Sequence, residues 1–337
     1  MIRRPIHRVR PLSAFSVPTL VAAILVACGE LVGFDAPELG ATVANPLAGV
    51  VLHVDPDSPA RRQAEAWRDD RPEDAQQLEK LASQPQADWF GDWNGDIRRD
   101  VESRVRAVRA AGGLPLLVAY NIPGRDCGSH SAGGAGNVER YRSWVRDFAA
   151  GLGRGPAVVI LEPDALAAAE CLREAGRAER FAMIRDAVAV LKERSGVRVY
   201  LDAGNPSWKS ADEMARRLRA GGVEEADGFA LNVSNTISTA ENIRYGERLS
   251  AALGGAHFVI DTSRNGLGTP ADREWCNPPG RALGASPTVQ TGHGLVDAFL
   301  WIKRPGESDG TCNGGPAAGK WWPEYALGLA QRSGADT

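Results

Sequence analysis

The chain has 337 residues, of which 43% are hydrophobic, enough to build the core of one large domain or two smaller ones. Its formal net charge is −3, so it lacks the basic footprint of a nucleic-acid binder. Nine tryptophans stand against five tyrosines, and indoles serve either as core or as flat platforms for sugar rings and bases.

The N-terminus reads as an export signal over residues 1–28. Arg3, Arg4, Arg8 and Arg10 make a basic start, and a mostly apolar run from Phe15 to Ala27 follows, interrupted by Pro18. That run is too short and too broken for a good membrane span. Its end, Leu25-Val26-Ala27-Cys28, resembles a lipoprotein box in which Cys28 would carry the lipid. Residues 29–45 read as a tether, and 46–335 as a single α/β domain.

Gly49 to Val54 is predicted as a first strand, and Ser58 and Pro59 open a helix running towards Lys80. Ala87 to Phe90 is a short strand with Trp89 near its end, and Asp96 to Ala111 is an amphipathic helix. Leu114 to Tyr120 is an apolar strand that turns at Pro123-Gly124 into Arg125, Asp126 and Cys127. The glycine-rich stretch Gly128 to Asn137 lacks the Lys-Ser/Thr ending of a phosphate loop and is read as a mobile lid. Asn137 caps the next helix.

The pattern then repeats. Strand 158–161 runs into Glu162 and Asp164, strand 197–201 into Asp202, and strand 257–260 into Asp261 and Arg264. Strand 298–302 runs into Lys303, Glu307 and Asp309, and strand 228–235 ends in the amides Asn232 and Asn235. Helices are expected near 181–194, 210–220, 240–253 and 321–330. Seven or eight strands alternating with helices imply parallel pairing. Polar groups at nearly every strand end favour a TIM-like β/α barrel over an open doubly wound sheet.

Five cysteines leave four for bridges once Cys28 is set aside, with three connectivities open. Pairing Cys127 with Cys171 and Cys276 with Cys312 would clip the loops that carry the acids. The sequence has no CxxC, its five histidines are scattered, no GxGxxG opens a helix and no GxSxG follows a strand. Metal, dinucleotide and serine-hydrolase chemistry are therefore unsupported. Carboxylates, amides and indoles on one rim suit glycoside hydrolysis, which needs one protonated acid and a second carboxylate.

Six motifs carry a family resemblance: Tyr120 to Cys127, Leu161-Glu162-Pro163-Asp164, Tyr200 to Gly204, Asn232 to Asn235, Trp275 to Pro278, and Trp301 to Gly310. In this order they resemble glycoside hydrolase family 6, the cellulases that cut β-1,4-glucan with inversion, over about residues 45–332. The resemblance implies a variant, distorted β/α barrel and a set of roles. Asp164 matches the catalytic acid, and Asp126 a carboxylate that raises its pKa. Asp309 matches the proposed base, Asp202 a carboxylate supporting the electropositive ring, and Tyr120 the residue beneath the distorted sugar. Lys303 and Glu307 match substrate-binding groups. Trp89, Trp208 and Trp275, with Trp301 shared between core and cleft, match stacking positions. Ser131 matches a serine holding the catalytic water, and Asn232 and Asn235 are taken as amides for sugar hydroxyls. Asn205 departs from the histidine of many relatives.

Cellobiohydrolases of that family tend to carry longer loops that roof the cleft, so within the resemblance the short Cys276 to Cys312 segment implies an open cleft and internal cutting. The expectation is an exported, inverting endo-β-1,4-glucanase that needs no cofactor or metal. It acts as a monomer on β-1,4-glucan, touching a membrane only through a lipid at Cys28, with its two carboxyls about 6.5–9.5 Å apart. An exo-acting cellobiohydrolase of the same family and a non-catalytic surface glucan binder are the alternatives.

Overall fold

The computed structural model describes residues 45–334. The export signal, Cys28 and residues 29–44 of the tether lie outside the described residues. So does Ala335, the last residue of the predicted domain.

Seven parallel strands lie in chain order: β1 (Asp88–Phe90), β2 (Leu116–Ala119), β3 (Ala157–Leu161), β4 (Val197–Asp202), β5 (Gly228–Leu231), β6 (His257–Asp261) and β7 (Val296–Leu300). Each pairs with its sequence neighbours, so the sheet curls like a barrel, but β1 and β7 share no ladder. Single bonds stitch that seam: Ala87 N donates to Trp301 O at 3.0 Å, and the Trp89 indole donates to Ile302 O at 2.8 Å.

Strand alternation sorts the core into two layers. Leu117, Val159, Val199, Leu201, Phe229 and Phe258 face outward, into one cluster with helices α3 (Ile97–Ala110), α4 (Val138–Leu152), α5 (Glu174–Lys192), α6 (Ala211–Ala220) and α7 (Thr239–Ala252). Leu116, Val118, Ile160, Tyr200, Val259 and Leu300 fill the interior. A third cluster joins α1 (Pro59–Trp67), α2 (Pro72–Ala82) and α8 (Pro323–Arg332).

Two local expectations change. The helix expected from Ser58 to Lys80 is two helices. Ser58 does cap α1, accepting from Arg61 N, but Pro72 holds Arg71 at φ −140°, ψ 61°, outside the helical region. The strand expected over Gly49 to Val54 is a single parallel bridge, Leu52 to Leu114, with Val51 and Val54 exposed.

Candidate active site

The strand ends are set by backbone that apolar strand residues could not adopt. Asp126 and Cys127 after β2, Glu162 and Asp164 after β3, and Asn232 and Ser234 after β5 all have φ between 49° and 69°. A non-glycine residue there costs about 1–2 kcal/mol. Short polar side chains that bond locally make that conformation tolerable.

Asp164 is half-buried, and its backbone N–H donates to Asp202 Oδ2 at 2.9 Å. Asp202 also accepts from Gly204 N at 3.1 Å, while its Oδ1 is buried with no hydrogen-bond partner among the described residues. Burial pushes the Asp202 carboxyl up to about 7, against the pull of those two N–H donors. Burial, then the nearby carboxylates Asp202, Asp126 and Asp309, push Asp164 well above the usual carboxylate range. Asp202 is only 1% exposed and is not among the residues lining the cleft, so any support it gives the electropositive ring is not by direct contact: its carboxylate bonds Asp164 N instead. Glu162, buried beside them, accepts from Asn121 N and Ile122 N at 3.0 Å and so pins the end of β2. Burial raises its carboxyl to about 7.

Asp309 has the opposite surroundings. Oδ2 accepts from Arg264 Nη1 at 2.7 Å and Asn277 N at 2.8 Å, and Oδ1 lies 3.2 Å from Lys303 Nζ. Burial alone would raise its pKa, but Arg264 and Lys303 outweigh that and hold the carboxyl below its ordinary value. Arg264 is fully buried, so it is no substrate-side group: its role is to hold Asp309. Asp261 is also fully buried and accepts from the backbone of Ser234, Ser263 and Lys303. It ties three rim loops together.

The glycine-rich segment is fastened rather than free. Arg125 Nε donates to Ser131 O at 2.8 Å, and Nη1 donates to Tyr120 O at 2.8 Å and to Asp92 Oδ1 at 2.9 Å. Arg125 therefore pairs with Asp92 and not with its neighbour Asp126. Asp126 Oδ2 instead accepts from Ser131 N at 2.7 Å. Gly134 packs so closely that an added Cβ would meet Ile122 O at 2.0 Å. This arrangement replaces the expected loose lid.

Two disulfides complete the rim. Cys127–Cys171 joins the Asp126 loop to the segment after Asp164, and Cys276–Cys312 clips the Trp275 loop to the segment after Asp309. His130 lies near Cys276 and Cys312, but both sulfurs are in that bridge and offer no thiolate to a metal.

These elements enclose one cleft of about 920 Å³. Asp126, Asp164 and Asp309 line it with Tyr120, Trp89, Trp208, Trp275, Ser131, Asn235, Lys303 and Glu307. Tyr120 meets Trp89 edge-on at 5.2 Å. Burial, then Asp164 and Asp126, keep the Tyr120 phenol protonated by raising its pKa. Trp208 and Trp275 are 37% and 45% exposed, free to meet a ligand face.

Asn232, expected to bind substrate, does not reach the cleft. It is fully buried and spends its amide on Asp261 O and Ile237 N. Trp301 is core, donating to Ala285 O at 3.0 Å. The sequence reading missed Trp93, Arg125, His130, Arg273 and Lys320, which also line the cleft. For Trp93 there was a signal, an indole in the Gly91-Asp92-Trp93-Asn94-Gly95 turn directly past a strand.

The chain matches the model of "Glycosyl hydrolases family 6" over residues 47–333. It is 48% identical over 286 residues to endoglucanase A of Cellulomonas fimi, covering 84% of this chain and 61% of that protein's length. It is 45% identical to endoglucanase 1 of Streptomyces halstedii, covering 82% of this chain and 87% of that one. Among solved structures it resembles the endoglucanase Cel6 of Mycobacterium tuberculosis, solved in complex with a methyl-cellobiosyl-4-deoxy-4-thio-β-D-cellobioside. The TM-score is 0.81 and the identity 48%, covering 86% of this chain and 99% of that one. A family match over nearly all of the described residues, on a fold and a carboxylate rim of this kind, places the chain in glycosyl hydrolase family 6.

Proposed function

We propose that the protein is an exported, inverting endo-β-1,4-glucanase that works as a monomer on cellulose or a related β-glucan. The observation that carries this reading is the opposed state of two carboxyls in one cleft. Asp164 is pushed towards its neutral form, while Asp309 is held ionised by Arg264 and Lys303. Environments that drive two titratable groups apart mark an acid and its charged partner.

The reaction runs as follows. A glucan chain lies across the cleft, with its rings on the indoles of Trp89, Trp208 and Trp275 and its hydroxyls on Lys303, Glu307 and Asn235. Asp164 gives its proton to the glycosidic oxygen as the bond from that oxygen to the anomeric carbon breaks. A water attacks the opposite face of the carbon and forms the new C–O bond, inverting its configuration. The proton released by the water passes through a relay to Asp126 and Asp309. Asp309 has both oxygens on cations, which weakens it as an acceptor, so Asp126 is the freer end of the relay. Ser131, whose N–H fixes Asp126, keeps that carboxylate in register. Tyr120 supports the ring at the cleavage point, and Asp202 acts through Asp164 by keeping its proton on. The spent Asp164 is reprotonated from solvent.

The identity to two named endoglucanases supports internal cutting over release of cellobiose from chain ends. The test is to follow viscosity and new reducing ends together on carboxymethyl cellulose. A steep loss of viscosity with few new ends is expected. New ends with little loss of viscosity would make the enzyme exo-acting, and neither signal would leave a glucan-binding protein.

A further inference from the structure

We infer that Trp93 is an additional sugar-stacking platform that sets how strongly the enzyme prefers long glucan chains. The inference rests on the proposed β-1,4-glucan substrate, and its binding test on Asp164 as the acid. Trp93 is 55% exposed, the most exposed of the large apolar side chains lining the cleft. An indole left half in water gives up apolar burial, and a single one on a surface would be unremarkable. Three features of its setting separate it from a stray surface residue.

First, the ring is braced from its own turn. It lies against Gly91, where an added Cβ would come within 2.6 Å of the indole and 2.7 Å of Tyr120 O. Only a glycine lets the ring settle there. The turn itself is fixed, because Asn94 Oδ1 accepts from Gly91 N and Asn94 Nδ2 donates to Asp100 Oδ2 on α3, both at 3.0 Å.

Second, the Arg125 guanidinium carbon lies 5.2 Å from the Trp93 ring and 4.6 Å from the Tyr120 ring. Trp93 is thus one guanidinium away from the residue proposed to lie under the sugar at the cleavage point. A sugar further along the same chain, beyond those next to the cleavage point, is the ligand of matching size and flatness, and a short oligosaccharide does not reach it.

Third, that guanidinium is nearly fully buried and committed to Asp92, Tyr120 O and Ser131 O, so it cannot swing away. The platform is held ready before the ligand arrives, which spares the ordering cost of binding.

The experiment compares wild type, Trp93→Ala and Trp93→Phe on cello-oligosaccharides of four to six sugars. It measures kcat/KM for each length. It also measures Kd for cellohexaose by calorimetry, in a background carrying Asp164→Asn. The gain in kcat/KM from the tetraose to the hexaose should shrink about tenfold in Trp93→Ala and less in Trp93→Phe, and Kd for the hexaose should rise about tenfold. An equal loss at every length would mean that the ring only shapes the fold, and no loss would mean that the chain does not touch it. Either result overturns the platform. If wild type cleaves none of these sugars yet binds the hexaose through Trp93, the glucanase reading fails and the platform stands. If wild type neither cleaves nor binds them, both fail.

Discussion

The side chain of Asp202 accepts a hydrogen bond from the backbone N–H of Asp164, at 2.9 Å. One carboxylate thus fixes the loop that carries the proposed acid and also supplies the negative charge that keeps a proton on it. Asp164 holds φ at 69°, and the Asp202 bond is part of what makes that backbone worth its strain.

Removing the proton donor should leave a folded but nearly inactive protein. Asp164→Asn is isosteric and keeps the N–H to Asp202. A fall in kcat of about 10²–10⁴-fold is expected, the range a positioned general acid supplies. Turnover on carboxymethyl cellulose and a thermal melt measure the two halves of this statement. Turnover close to wild type would remove Asp164 from the role.

Asp202→Asn should move the alkaline limb of the pH–kcat profile downward. Deprotonation of Asp164 stops the reaction, and its proton is retained by burial first and by the Asp202 charge second. An amide removes that charge, so Asp164 loses its proton at lower pH. The asparagine oxygen can still accept from Asp164 N or Gly204 N, which spares the loop. The two groups are close enough to titrate as a pair, so the limb itself is the quantity to compare.

Arg264→Met should act on the other limb and on stability. Arg264 and Lys303 hold Asp309 below its ordinary pKa, so losing Arg264 raises it and shifts the acidic limb upward. A depressed carboxyl contributes stability that is present above its unfolded pKa, near 3.9, and lost as pH falls through its folded value. The destabilisation should therefore be largest at neutral pH, about 3–5 kcal/mol for a broken buried pair, and fade below about pH 4. Denaturant titrations at both pH values read this, with Arg264→Lys as the variant that keeps the charge. A penalty independent of pH would point to packing alone.

Replacing Cys127 and Cys171 by serine should cost about 2–4 kcal/mol, since the bridge closes a 44-residue separation. Activity should fall further than stability requires. The bridge holds Cys127 in its left-handed conformation next to Asp126 and ties that loop to the one following Asp164. Comparing kcat well below the melting temperature with that of the Cys276/Cys312 double serine variant separates the two effects.

Much of the architecture was legible from local pattern. Apolar runs of strand length, each ending in an acid or amide, marked the strands and the rim, and Asn137 and Ser58 marked helix starts because capping is a local event. A proline does not show in an amphipathic pattern as strongly as it acts on the backbone, and so Pro72 split a helix that periodicity alone ran together. What tertiary structure alone decided was which polar group at a strand end faces the ligand. Asn232 and Asn235 are three residues apart in one motif, yet one is sealed against Asp261 O and the other lines the cleft. Asp202 went behind Asp164, Arg264 went under Asp309, and Trp301 went into the core while Trp93 stayed out. The identity of a side chain fixes what it can bond to, but its burial, its partner and its protonation state depend on other strand ends, 29 to 45 residues away for Asn232, Asp202 and Arg264, and those meet only when the barrel curls.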